Sequence, residues 1–154
     1  MQEHGPTVLV RDQDITRNLL LASFPAGLLD RIEWRLETVE LRAGRVLHQD
    51  GEPVAAVYFP TTCLVSLDNQ STDGCTVQVA LVGHEGMVGL GALLVGGAFA
   101  SALVIHGGKA LRCPADVLQV EFERSAALRR LLLGSLRELL VPVIHRALGT
   151  HHHT

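Results

Sequence analysis

Two alternating apolar runs, TCLVSLDN and CTVQVALV, meet at the stretch STDGC, Ser71 to Cys75. Asp-Gly between two runs of period two is a hairpin signal. The tight turn needs a positive φ, and glycine takes it without a Cβ clash. Gly74 therefore sits in a turn, and the flanking runs pair antiparallel. Five more runs of the same kind follow the chain: TVELR, RVLHQ, VAAVYF, ASALVIH and KALRC. Ala43-Gly44, Asp50-Gly51 and Gly107-Gly108 punctuate them. Short strands at regular spacing predict a β-sandwich, barrel or roll over about 38–113.

Helical spacing appears only toward the two ends. Leu28, Leu29, Ile32 and Leu36 fall on one face, with Pro25 placed to start a helix. Two short helices are expected there, the second ending near Leu36, after an N-terminal arm of residues 1–15. PADVLQVEF reads as a short helix opened by Pro114, and SAALRRLLLGSLRELLVPVIHRAL as a long one. Pro142 lacks an N–H and is expected to kink or end it. Leu128, Leu132, Leu136, Leu139 and Val143 form an apolar stripe, which Leu131, Leu133 and Leu140 widen. A helix apolar on most sides needs two partners. Its own domain is one, and a second copy of the chain is the simplest other, so a homodimer is expected. Residues 149–154 read as a tail, and its His151–His153 run is set aside.

The 154 residues suffice for one domain, and 47% apolar with 19% charged residues is a globular composition. A formal net charge of −3 argues against general affinity for nucleic acid or anionic lipid. Cys63, Cys75 and Cys113 are far apart and odd in number, and no export signal opens the chain. A cytoplasmic, reducing setting is expected.

The glycine-rich stretch Gly83–Leu103 allows three readings. From Gly86 to Ile105 there is no formal charge, long enough to cross a bilayer. Five glycines, each costing a helix about 1 kcal/mol, argue against a span. So does the absence of Trp and Tyr at its ends. A phosphate cradle would use backbone N–H groups. It would normally add a basic side chain, yet no Lys or Arg lies between Arg45 and Lys109. The third reading is a tight corner within a β-fold.

The layout, with HQDGEPVAAVYF, the glycine stretch and the long C-terminal helix, resembles the cyclic-nucleotide-binding-like domain of Crp/Fnr-type bacterial transcription regulators over roughly residues 16–148. Gly51 followed by Tyr58-Phe59 looks like the family's early glycine turn and aromatic strand. Met87-Val88-Gly89 looks like the lead-in to the phosphate cassette, and Ser101-Ala102 like the small pair that closes it. The resemblance implies an α+β fold: an antiparallel β-roll (a jelly-roll-like double-stranded β-helix) with short N-terminal helices and a long C-terminal dimerisation helix. The implied ligand-binding residues are Val88, Gly89, Leu90, Gly91, Ala100, Ser101 and Ala102. The implied dimerisation residues are Leu128, Leu132, Leu136, Leu139 and Val143.

The departures bear on function. Where the family's cyclic-nucleotide binders hold the ribose with a glutamate, this chain has Leu90. Where they pair the cyclic phosphate with an arginine, it has Ala100. The glycine usual after the aromatic strand falls near Thr62. Losing a charge-assisted partner costs about 1.5–3 kcal/mol, so cyclic AMP is not expected to bind in the usual mode. The family's winged helix-turn-helix is not expected within these residues, and DNA is expected to be reached only through a domain outside them. Arg124, Arg129, Arg130, Arg137 and Arg146 read as a solvated helix face.

No enzyme is expected. GxSxG is absent, and Glu37 with Glu40 reads as solvated carboxylates. Asp68 and Asp73 read as hairpin residues, and the cysteines as small hydrophobes. His48, His84 and His106 lack metal-ligand spacing and read as turn and surface residues, so no metal or cofactor is expected. The expected function is effector sensing and dimerisation in a Crp/Fnr-like regulator, with a small-molecule effector and no membrane association. A ligand in the roll would shift the cassette against the C-terminal helix. Two alternatives stand: a stand-alone degenerate domain acting through protein partners, and a cupin-like metal-dependent enzyme.

Overall fold

The structure, a computed structural model, describes residues 12–70 and 72–152, with side chains for 14–70 and 72–139. Most of the expected arm, the Val143 side chain and the end of the tail lie outside the described residues. All seven expected strands form: β1 Glu37–Leu41, β2 Val46–His48, β3 Ala56–Pro60, β4 Leu64–Gln70, β5 Thr76–Val82, β6 Ser101–His106 and β7 Gly108–Pro114. They make two antiparallel sheets, ordered β1-β7-β3 and β2-β6-β4-β5. This is a jelly-roll-like α+β fold. The turn at Asp73-Gly74 lies between β4 and β5, with Gln70 opposite Thr76 and Gly74 at φ 86°. The Asp73 carboxylate accepts from the Cys75 N–H at 3.1 Å, which is the turn role expected of it.

Pleat alternation sorts the core into two layers. Val57 and Phe59 of β3, with Leu111 and Cys113 of β7, pack outward against helices. Ala56, Tyr58 and Ala110 turn inward, toward Val65, Val82, Ala102 and Val104 in the roll. β3 is buried along its whole length, since it is covered on both faces.

The two expected N-terminal helices form, α2 Leu19–Ala22 and α3 Ala26–Ile32, the second running into a 3₁₀ turn at Glu33–Arg35, while a further one-turn helix, α1 Asp12–Ile15, lies in the segment expected as an arm. Asn18 separates α1 from α2. It is extended and fully buried, and its Oδ1 caps α2 by accepting from the Leu21 N–H at 2.8 Å. Its Nδ2 donates to the Pro60 carbonyl at 2.8 Å and the Gly86 carbonyl at 2.9 Å. One side chain thus ties the helices to β3 and to the glycine stretch. Phe24 adds an edge-to-face contact with Phe59, ring centroids 5.7 Å apart.

The glycine stretch contains a one-turn helix, α4 Gly91–Leu94, and then enters β6. α5 Ala115–Arg124 follows β7 and is tied to α3 by Arg31, whose guanidinium donates to the buried Glu121 carboxylate at 2.8 and 3.1 Å. That pairing holds the Glu121 carboxyl below the usual range. Ser125 separates α5 from α6 Ala126–His152, its Oγ accepting from the Leu128 N–H. α6 does not end at Pro142. A proline removes one rung of the ladder, and here the helix continues on both sides of it. No helix among the described residues is long and apolar enough to cross a membrane.

Candidate functional site

The site is assembled by the chain from Met87 to Ala102. Val88 docks on β3 through reciprocal backbone bonds with Tyr58, at 2.8 and 3.0 Å. The far end is pinned to the turn between β2 and β3. The Gly51 N–H donates to the Ala98 carbonyl, the Ala98 N–H to the Glu52 carbonyl, and the Asp50 N–H to Ser101 Oγ. Between these anchors the segment closes on itself. A Cβ at Gly91 would lie 2.5 Å from the Gly97 carbonyl oxygen and 2.8 Å from the Phe99 ring. Only glycine lets α4 approach so closely.

Four of the expected ligand residues, Gly89, Leu90, Gly91 and Ala100, line one cavity. Val88, Ser101 and Ala102 are not among its walls. The cavity measures about 20 Å³, room for about one water. None of its described lining residues is basic, apart from the titratable His48. Sites for small organic ligands typically run to about 300–1,000 Å³.

His48 also lines this cavity, contrary to the expectation that it is a turn or surface residue. His48 is not a surface residue: it is 9% exposed. Val46, two positions earlier, is 48% exposed. In a regular strand the two would share a face, but the β2–β6 register shifts between them. Neither imidazole nitrogen makes a well-formed hydrogen bond. Loss of hydration lowers the His48 pKa, outweighing the opposing pull of the Ala100 backbone and the Glu52 carboxylate. His84 and His106 are exposed. Among the described residues no group of three or more His, Cys, Asp or Glu could hold a metal ion. Burial pushes the Cys113 thiol up to about 12 and raises that of Cys63, so both pack as hydrophobes. Glu37 is not simply solvated, because it pairs with Arg112 at 2.8 Å.

A larger space lies between β5 and α6, a groove of about 460 Å³. Leu81, Val82, Met87 and Leu139 line it, with Glu85 and Glu138 as the only charged residues among the described ones there. Met87 and Leu139 also line the small cavity, so the two spaces share walls. Nothing in the sequence alone indicates this groove, because it depends on how far α6 stands from the β5 edge.

The leucine stripe divides once α6 is in place. Leu128 and Leu132 are fully buried against the chain's own helical core, and Leu136 packs partly there. Leu139 is partly buried against the roll. Leu133 faces out, 48% exposed.

A roll of two antiparallel sheets, a glycine-rich corner closing on it and a long helix reaching back to that corner make a recognisable set. The fold is that of a cyclic-nucleotide-binding-like domain. It is shared with the N-terminal domain of a transcriptional regulator from Streptomyces coelicolor A3(2), at 23% identity and a TM-score of 0.58, over 86% of this chain and 94% of that one. The sensor domain of the transcriptional regulator DNR from Pseudomonas aeruginosa matches with a TM-score of 0.64 at 16% identity, over 86% of this chain and 90% of that one. A cyclic nucleotide-binding-like protein from Brucella abortus matches at 25% identity and a TM-score of 0.57, over 73% of this chain and 99% of that one. No protein-family profile matches the sequence, and no curated protein does. The corner from Met87 to Ala102 is the segment whose sequence resembles the family's phosphate cassette.

Proposed function

We propose that this cyclic-nucleotide-binding-like domain is the effector-sensing and dimerisation module of a Crp/Fnr-like transcription regulator, and that it does not read cyclic AMP in the usual mode. The observation that carries the sensing role is Leu139. This one α6 side chain lines the cassette cavity beside Gly89, Leu90 and Ala100, so any rearrangement of the cassette is felt by the helix. Cyclic AMP is disfavoured by the cavity's size together with Leu90 and Ala100, which offer no charge to ribose or phosphate. The proposed seam between copies runs along α6 through Leu136, Leu139 and Val143, joined by the exposed Leu133. Leu128 and Leu132 support it from behind by fixing α6 to its own core.

Titration calorimetry with cyclic AMP, together with sedimentation velocity on the same protein, tests this reading. A concentration-dependent dimer and no saturable heat at micromolar nucleotide are expected. A monomer at every concentration would remove the dimerisation role, and tight saturable heat would show that the cassette opens for the nucleotide after all.

A further inference from the structure

The cassette cavity and the β5–α6 groove meet at Met87 and Leu139, which line both. On the inner side stands His48, about nine-tenths buried and without a well-formed hydrogen bond to either ring nitrogen. A buried polar group left unpartnered is costly and calls for a partner. On the outer side the walls are mainly apolar. Glu85 already accepts from the Gly83 N–H at 2.9 Å, Glu138 is exposed at the rim, and among the described residues no basic side chain lines the groove.

We propose that groove and cavity together form the effector site, with Met87 and Leu139 as a movable partition. Its occupant is an uncharged amphiphile: a hydrocarbon body lying between β5 and α6, with one hydroxyl or carbonyl oxygen reaching His48. The inference rests on reading the domain as a sensor. Both partition side chains are unbranched at Cβ, and the thioether of Met87 turns readily. The hydrocarbon body displaces water from apolar walls. A neutral imidazole donates from one nitrogen and accepts at the other, so a hydroxyl or carbonyl satisfies it. An anionic head would face two carboxylates with no cation among the described lining residues to offset them. An occupant placed so touches both the roll and α6, which is what a helix-coupled sensor requires.

The test uses 1-octanol and octanoate, with the methionine methyl groups labelled with carbon-13. The chain has two methionines, Met1 and Met87, so the Met87 methyl reports the partition directly. Octanol should move that resonance saturably, with octanoate weaker by at least about tenfold. His48→Phe should weaken octanol about fivefold, the value of one net hydrogen bond. Glu138→Lys, on the exposed rim, should bring octanoate close to octanol, and it keeps the test decisive if His48→Phe fails to fold. The proposal is overturned by a Met87 methyl that ignores octanol, by octanol affinity unchanged in folded His48→Phe, or by octanoate unaffected by Glu138→Lys. A resonance that moves on protein dilution but not with octanol would mean a second copy fills the groove, and would overturn it too. Sedimentation of the same samples separates the two readings. A dimer with a silent Met87 removes this site and leaves the sensor reading standing. A monomer whose Met87 answers octanol supports the site and removes the dimer.

Discussion

His48 shows how one misplaced polar group sets a pH dependence. It lines the small cavity beneath the cassette together with Leu67, Met87 and Leu90, and the Ala100 backbone and the Glu52 carboxylate are the nearby groups that favour its charged form. Desolvation outweighs them, and the folded-state pKa lies below the ordinary value of 6.5. The sign follows from proton counting. Below pH 6.5 the unfolded chain binds a proton at this residue while the folded chain resists, so stability falls as pH drops toward the folded pKa. Above 6.5 both states are neutral there, and the contribution is fully present. Thermal melts from pH 8 to 5.5 should therefore be level at first and then decline. His48→Phe, which cannot take a proton, should shed His48's share of the decline, and parallel curves for the two proteins would refute this assignment.

At the scale of elements, the cassette depends on glycine for reasons of space. At Gly91 a methyl group would strike the Gly97 carbonyl, which is backbone and cannot rotate away. Gly91→Ala should cost about 1–3 kcal/mol, the usual range for overpacking, with faster amide exchange confined to residues 91–99. Gly134 is the counterpart on α6, where a Cβ would meet nothing within 4 Å. Gly134→Ala should stabilise by up to about 1 kcal/mol, because alanine is the better helix former. Denaturant midpoints moving in opposite directions for the same substitution would confirm the distinction, and equal shifts would contradict it. The strands around these glycines were legible in the sequence because period-two runs and Asp-Gly or Gly-Gly turns are local signals. The break at Asn18 was not, since its partners are the carbonyls of Pro60 and Gly86, far along the chain. The inward turn of His48 was hidden by a register shift, which depends on β6 as much as on β2. Of the candidate site, the cassette could be found by its glycines, while the groove beside it arises only when α6 packs.

At the scale of the whole molecule, α6 serves two surfaces, and neighbouring leucines separate them. The helix is about 40 Å long, and its first turns close the helical core. In sequence the leucines look interchangeable, because they occupy most sides of the helix and periodicity cannot say which side meets the roll. The structure makes Leu132 fully buried and leaves Leu133 half exposed. Leu132→Ala removes core volume and should cost about 2–5 kcal/mol of stability. Leu133→Glu places a charge on the surface and should change the stability of the monomer by no more than about 0.5 kcal/mol. If α6 is the seam between copies, Leu133→Glu should nonetheless dissociate the dimer, since a carboxylate would be desolvated in an apolar interface. Leu132→Ala should leave association intact wherever the protein remains folded. Denaturation must be followed at a concentration where the wild type is monomeric, because dimer formation itself raises apparent stability. Stability and association then vary independently in the two variants. A dimer that survives Leu133→Glu would place the seam elsewhere, with the exposed edge of β5, where Val77 and Leu81 face out, the next surface to test.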